Sequence, residues 1–242
     1  MEAAQGRLLV IETSHRVGVV ALAEGSRLIG ERRLDEARRH ARDLVPAIRD
    51  LLGEAGWKPR DLTAVIVSRG PGSYTGLRVG MMSAKTLAYV TGCALVAVDT
   101  FAAIALQAPA EANVVDVIAD AQQDKLYVQR FERGSAIAPL SIQTVAAWQS
   151  SLPPQSWVIG PGLERFANKV PAAAHIASED TWHPRPESLL HVGLSRLERG
   201  ERDDLFAVEP LYLRASSAEE KREARAVPGM PPIVRHKRAD GK

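Results

Sequence analysis

A glycine-rich junction between a strand and a helix constrains this chain more than any other feature. The segment Ser68–Gly80, SRGPGSYTGLRVG, joins the apolar run Ala64–Val67 to a segment of helical character, Leu77–Val90. Glycine permits a sharp turn there, and the start of a helix exposes backbone N–H groups that attract anions. The junction can therefore bind a phosphate, or it can brace the helix through a capping hydroxyl from Ser73 or Thr75.

Two known phosphate-binding patterns do not fit the junction. A Walker loop needs Lys followed by Ser or Thr after its last glycine, but leucine and arginine follow Gly76. The dinucleotide pattern G-x-G-x-x-G begins at Gly70 and Gly72, but its third glycine falls on Thr75. The sequence therefore favours the bracing role, and phosphate binding stays as the alternative.

The residues before the junction predict a meander followed by a helix. The strand candidate Arg7–Ser14 is followed by two more, at 16–25 and 27–36, and a turn separates the last two. Apolar residues then recur every three or four positions over 41–55, which predicts an amphipathic helix. Pro46 lies inside it and should kink the helix or mark an inner start.

The order of the predicted elements indicates an α/β protein with two lobes. After the junction come a strand at Ala94–Thr100 and a helix from Phe101, which together with the meander give a mixed sheet covered by helices. The pattern restarts near Asn113. We therefore predict an N-terminal lobe over 1–108, a smaller α/β lobe over 109–213, and a disordered tail over 214–242.

Composition excludes several classes of protein. Charged residues make up 25% of the 242 residues, and the net charge of +2 neither requires nor excludes nucleic acid. Cys93 is the single cysteine, so no intramolecular disulfide can form, and we expect a buried, inert thiol. The first residues lack a signal-peptide pattern, which predicts a cytoplasmic protein. The apolar stretch Leu87–Ala108 is interrupted by Gly92 and Asp99, so we predict a helix end, a strand and a helix start instead of a membrane span.

The polar residues suggest one weak site. Glu12 and Thr13 end the first strand and, with Gly72 and Ser73 of the junction, form a candidate nucleotide site. A lone acid at a strand end is more often only a polar edge. The six histidines show no pair four residues apart and no neighbouring acid or cysteine at ligand spacing, so we expect no metal site and no cofactor.

The helix after the junction has two contrasting faces. One face repeats a small residue every four positions, which lets another backbone approach closely, by default that of its own sheet. A second face mixes methionine, tyrosine and basic residues, a composition that partner surfaces favour. The small face comprises Gly76, Gly80, Ala84 and Ala88, and the mixed face comprises Arg78, Met82, Lys85 and Tyr89.

Six segments together resemble a known family. They span about Arg7 to Arg214 and read, in order, LLVIETS, RRHARDLVPAIRDLL, VIVSRGPGSYTGLRVGMMSAKTLA, VAVDTFAAIA, DAQQDKLYVQRFE and EPLYLR. They are similar in order and spacing to the dimerisation subunit of the bacterial threonylcarbamoyladenosine synthesis complex, the TsaB (formerly YeaZ) family. The resemblance implies the actin/hexokinase/Hsp70-like (ASKHA) fold in two lobes.

The family resemblance also implies a role and partners. Such a subunit takes part in placing a threonylcarbamoyl group on the adenosine next to the tRNA anticodon, without catalysing the transfer. It pairs with the catalytic paralogue TsaD or with a second copy of itself, and the ATPase TsaE joins the complex. It meets tRNA only through the complex and does not contact a membrane. The helices at about 41–55 and 76–90 would form the interface, through Val45, Arg49, Arg78, Met82, Lys85 and Tyr89.

Two departures from related sequences bear on this assignment. The catalytic paralogue binds its metal through two histidines on the helix after the strand LVAVDT, and those positions hold Thr100 and Ile104 here. Since neither is a suitable ligand, the resemblance implies that the paralogue's metal site is absent. Glu12 stands where this subunit family usually has aspartate, which leaves the nucleotide role of that strand end open.

Two other functions compete with the scaffold hypothesis. A small-molecule or acyl kinase of the same fold would use the loop Gly72–Gly76 for ATP, with Ile159–Gly162 as its only candidate adenosine segment. A direct RNA-binding role would rest on the basic tail, but acids interleave its basic residues and no aromatic side chain stands among them. The sequence favours the scaffold.

Overall fold

The predicted meander forms one half of a five-stranded mixed sheet. The computed structural model describes residues 6–34 and 40–213. The strands of this first sheet are β1 (Arg7–Glu12), β2 (Val19–Glu24), β3 (Arg27–Arg33), β4 (Ala64–Gly70) and β5 (Ala94–Asp99). Their order is β3-β2-β1-β4-β5, in which the meander is antiparallel and β1, β4 and β5 are parallel. The meander prediction is confirmed, and β1 lies at the centre.

Helices bury both faces of this sheet, which explains why its central strands are continuous apolar runs. Successive side chains of a strand alternate between faces, so Leu9 and Leu8 of β1 belong to two different core clusters. The cluster with Leu9 also contains apolar residues of α1 (His40–Glu54) and α2 (Tyr74–Thr91). The cluster with Leu8 is completed by α3 (Thr100–Ala105) and α6 (Pro186–Glu198).

Helix α1 confirms the prediction from apolar spacing. Leu44, Ile48 and Leu51 are buried against the sheet, as the three- and four-residue repeat requires. The helix is continuous through Pro46, which is exposed, so this proline does not mark an inner start.

A second mixed sheet carries the rest of the chain. Its strands are β6 (Val114–Asp120), β7 (Lys125–Glu132), β8 (Ser135–Ala136), β9 (Ser141–Thr144), β10 (Trp157–Ile159) and β11 (His175–Ile176), with α4 (Val145–Ser151) and α5 (Leu163–Phe166) beside them. The order is β11-β10-β6-β7-β8, and β9 also pairs with β7. β6 is antiparallel to β7 and parallel to β10, which repeats the placement of β1 between β2 and β4.

A buried ion pair fastens α4 to this second sheet. Asp116 of β6 is fully buried, and it accepts hydrogen bonds from Arg130 Nε at 2.5 Å and Trp148 Nε1 at 3.1 Å. A buried carboxylate is tolerated only when such partners compensate its lost hydration. Local sequence patterns cannot predict this cluster, since its members lie on three separate elements.

The division of the chain at residues 108 and 109 falls in the connection between α3 and β6, and it stays a proposal. Although α6 follows the second sheet in sequence, it packs on the first sheet. The predicted tail 214–242 lies outside the described residues. The stretch Leu87–Ala108 contains the end of α2, then β5 and α3, as predicted, and among the described residues no helix is long and apolar enough to cross a membrane.

Candidate functional site: an interlobe cleft and an apolar surface

Ser73 caps α2 and ties the glycine junction to the end of β1. Its hydroxyl accepts a hydrogen bond from Gly76 N at 3.2 Å, and its carbonyl accepts one from Leu77 N at 2.8 Å. Its own N–H donates to Ser14 O at 2.6 Å. The bracing role is therefore confirmed with Ser73 as the cap, while Thr75 lies inside the first turn of the helix.

Glycine is required where α2 crosses β1. A Cβ atom added to Gly72 or Gly76 would lie closer than 3.0 Å to the backbone of Ser14 or Thr13, respectively. At Gly80 the added atom would meet the Thr13 hydroxyl instead. The small face of α2 therefore packs on the chain's own sheet, and the opposite face of the helix is left for solvent or a partner.

The four predicted nucleotide-site residues come together, but in two layers. Glu12 is 1% exposed, and its Oε1 accepts hydrogen bonds from both the N–H and the hydroxyl of Ser14 at 2.5 Å. Thr13 is also buried, whereas Gly72 and Ser73 lie above them on the wall of a cleft. Burial raises the pKa of Glu12 from 4.5 to about 7, although the hydrogen bonds from Ser14 oppose this shift. The structure therefore places Glu12 beneath the cleft and not in its lining.

The raised pKa predicts that Glu12 makes stability depend on pH. Between pH 4.5 and about 7 the folded state binds a proton that the unfolded chain has released. The free energy of unfolding should therefore fall as the pH rises through this interval, by about 1.4 kcal/mol per unit at most, and then level off. Glu12→Gln is neutral at every pH and should remove this slope. Urea unfolding from about pH 5 to about pH 8 measures it.

An exposed carboxylate provides the control for this experiment. Glu54→Gln, at the end of α1, should keep the pH dependence of the unchanged protein, because Glu54 is exposed in the folded state. If Glu12→Gln and Glu54→Gln have the same dependence, the buried carboxyl group does not titrate as described.

The cleft lies between the carboxyl ends of the strands of both sheets. Its volume is about 570 Å³, which is within the range of small-molecule sites. The first lobe contributes Ser14 and the glycine junction, and the second contributes Asp120, Pro161 and neighbouring residues. An ion pair between Arg165 and Asp120, at 3.1 Å, lies at its second-lobe wall.

Three side chains of the types that bind metals meet at the rim of the cleft. His15, Glu164 and His183 place their ligand atoms within 4.8 Å of one another. The prediction of no metal site rests on histidine spacing along the chain, which cannot detect this cluster, and it stays a prediction. The members of this cluster come from distant segments that only the fold brings together.

Exposed apolar side chains form a second candidate site on the outer side of α1 and α2. Val45 is 62% exposed, Met82 61%, Tyr89 69% and Val90 75%. Phe206, 81% exposed, packs edge-on against Tyr89 with ring centroids 6.2 Å apart. These five residues are called the apolar surface below. Large apolar side chains exposed on two neighbouring helices are typical of an interaction site.

The basic residues of α2 hold a segment of the chain itself. Lys85 Nζ donates a hydrogen bond to Val208 O at 3.0 Å, and Arg78 Nε donates one to the Tyr212 hydroxyl at 3.0 Å. They thereby fasten the segment 201–213 along the helix. The prediction that α2 presents all four mixed-face residues outward is confirmed for Arg78, Met82 and Tyr89, which are exposed, but wrong for Lys85, which is half-buried.

The remaining predicted interface residue, Arg49, is exposed on α1 and pairs with its neighbour Asp50 at 2.7 Å. Sequence reasoning missed Phe206 and Tyr212. Tyr212 packs on Tyr74 with ring centroids 4.8 Å apart. Aromatic residues in a short irregular segment were the available signal, but their spacing fits no regular element and could not indicate where they pack.

The two mixed sheets with flanking helices and a cleft between them define the class of protein: an actin/hexokinase/Hsp70-like (ASKHA) fold. Among solved structures, YeaZ from Pseudomonas aeruginosa superposes with a TM-score of 0.73 at 25% identity, covering 86% of this chain and all of that one. The predicted fold class is confirmed.

Sequence comparisons place the chain within that class. The family model described as TsaD, tRNA N6-adenosine threonylcarbamoyltransferase, matches residues 34–169, which is more than half of the chain. The tRNA threonylcarbamoyladenosine biosynthesis protein TsaB of Bacillus subtilis is 27% identical over 88% of this chain and 96% of its own length. TsaB of Escherichia coli is 26% identical over 89% of this chain and 97% of its own length. The chain belongs to the TsaD family, and within it to TsaB (YeaZ).

Proposed function

We propose that this chain is a non-catalytic scaffold subunit of the complex that makes N6-threonylcarbamoyladenosine in tRNA. It binds the catalytic paralogue TsaD through the apolar surface. The observation that carries the proposal is the exposure of Val45, Met82, Tyr89 and Val90 on two neighbouring helices. Interface cores are enriched in methionine and aromatic residues, and burying these side chains would remove a large apolar area from water.

The residues at the positions of the paralogue's metal ligands support a non-catalytic role. Thr100 is buried, and its hydroxyl accepts a hydrogen bond from Gly70 N at 3.1 Å. Ile104 is fully buried in the apolar core. Thr100 therefore stabilises the glycine junction and Ile104 packs in the core, and neither supplies a metal ligand.

The geometry of the glycine junction favours the scaffold over the kinase alternative. A phosphate loop offers free backbone N–H groups to its anion. Within the loop Gly72–Gly76, the N–H of Ser73 is donated to Ser14 O and that of Gly76 to the Ser73 hydroxyl, so these two N–H groups are not available to an anion. We infer that the junction aims α2 at the partner, that the chain needs no cofactor for this role, and that TsaE and tRNA meet it only in the assembled complex.

The direct test is to mix the purified chain with TsaD from the same organism and to follow the mixture by size-exclusion chromatography with light scattering. We expect a one-to-one complex that elutes ahead of either protein alone. The free chain run alone shows whether two copies pair in the absence of TsaD. If the two proteins elute separately at every concentration tested, the proposed pairing is wrong.

A further inference from the structure

Three side chains from three separate segments converge at the rim of the cleft. His15 follows β1, Glu164 lies in α5, and His183 lies in the connection that leads to α6. His183 Nε2 is 3.0 Å from Glu164 Oε1, and His15 Nε2 is 3.7 Å from the same oxygen. The two imidazole rings lie against each other with centroids 3.7 Å apart and planes 32° apart.

Two imidazoles and one carboxylate are a ligand set that zinc enzymes use, in which the metal keeps a further position for water or another ligand. Bonds of about 2.0–2.2 Å to nitrogen and oxygen place tetrahedral ligand atoms roughly 3.3 Å apart. The three ligand atoms here lie within 4.8 Å of one another, so small side-chain rotations suffice to bring them to that spacing. We propose that His15, Glu164 and His183 bind a divalent transition-metal ion, with Zn²⁺ as its representative.

An ion pair without a metal accounts for this arrangement less well than a bound divalent cation does. Two protonated imidazoles in contact would repel each other, and the single carboxylate of Glu164 neutralises only one positive charge. A divalent cation uses the lone pairs of both rings, and the carboxylate offsets part of its charge.

A metal ion at this point would connect the two lobes. His15 belongs to the first lobe, whereas Glu164 belongs to the second. The side chains of His15, His183 and Glu164 are 22%, 37% and 56% exposed, so an ion can reach them from solvent. Because His15 and Glu164 also line the cleft, the open coordination position would lie at its entrance.

The test uses the full chain without an added histidine tag. The protein is equilibrated with Zn²⁺ by dialysis, and the retained metal is measured by mass spectrometry, with Co²⁺ absorption reporting the coordination. We expect one equivalent per chain. Glu164→Gln and His183→Ala should each weaken binding by at least about tenfold, the size of effect seen even for residues that only support metal ligands. His175→Ala removes an exposed histidine outside the cluster and should leave the affinity unchanged.

Two results would overturn the proposal. One is that the unchanged protein retains no Zn²⁺ at micromolar concentrations. The other is that Glu164→Gln and His183→Ala bind Zn²⁺ as tightly as His175→Ala, which would place the metal elsewhere. Glu164 is exposed, so Glu164→Gln should fold normally, and circular dichroism melts verify this for every variant. The proposal is independent of pairing with TsaD, so either can fail without the other.

Discussion

Replacing Gly76 by alanine is expected to destabilise the folded protein by roughly 3 kcal/mol or more. The added Cβ would collide with the carbonyl oxygen of Thr13, which is buried backbone directly after the central strand and cannot rotate away as a side chain can. Helix α2 would have to shift off β1, and such overpacking of a dense core costs about 1–3 kcal/mol even where side chains can adjust. Gly80→Ala should cost less, because its added atom meets the Thr13 hydroxyl, which belongs to a side chain.

Gly53→Ala is the matched control for this experiment. Gly53 lies in α1, and nothing stands within 4 Å of the Cβ that alanine would add. Alanine is the better helix former there, so the control should raise stability by about 0.5–1 kcal/mol. Equilibrium urea unfolding measures all three variants. Equal stability of Gly76→Ala and Gly53→Ala would mean that α2 does not pack on β1 as closely as the structure has it.

Met82→Glu is expected to abolish pairing with TsaD while leaving the fold intact. Met82 is 61% exposed in the free chain, so a charge there should change its stability by no more than about 0.5 kcal/mol. At the centre of an interface the same carboxylate would have to lose its water without gaining a partner, at a cost of several kcal/mol. A loss of about 3 kcal/mol weakens binding by more than about a hundredfold. Isothermal titration calorimetry with TsaD measures this loss.

Ile137→Glu controls for the effect of a new surface charge. Ile137 is also an exposed apolar residue, 53% accessible, but it belongs to the second lobe, between β8 and β9. The Ile137→Glu variant should bind TsaD with the same affinity as the unchanged protein. If Met82→Glu binds equally well, the interface lies elsewhere. If Met82→Glu unfolds at a much lower temperature than the unchanged protein, Met82 belongs to the core.

Local features of the fold could be predicted because their causes lie within a few residues. The antiparallel meander follows from apolar runs separated by a turn, and α1 follows from apolar spacing. The cap of α2 follows from a hydroxyl three residues before a backbone N–H that needs an acceptor, as Ser73 and Gly76 provide. In each case, the observed element lies where the residues of that segment alone predict it.

The remaining features depend on contacts between distant segments. Lys85 carries the same charge whether it faces a partner or holds Val208, and only the path of the segment 201–213 decides between these roles. Glu12 looked like a polar strand end, yet the glycine junction covers it, and this burial raises the pKa to about 7. Histidine spacing could not reveal that His15 and His183 meet, because their contact exists only once both lobes have folded.

The central claim is that this chain is needed for tRNA modification as a binding partner. The most direct measurement is the amount of N6-threonylcarbamoyladenosine in total tRNA, determined by mass spectrometry of its nucleosides after the chain is depleted from its own organism. We predict that the modified nucleoside disappears, that the unchanged protein and Ile137→Glu restore it, and that Met82→Glu does not. An undiminished level of the modified nucleoside in the depleted cells would contradict the account.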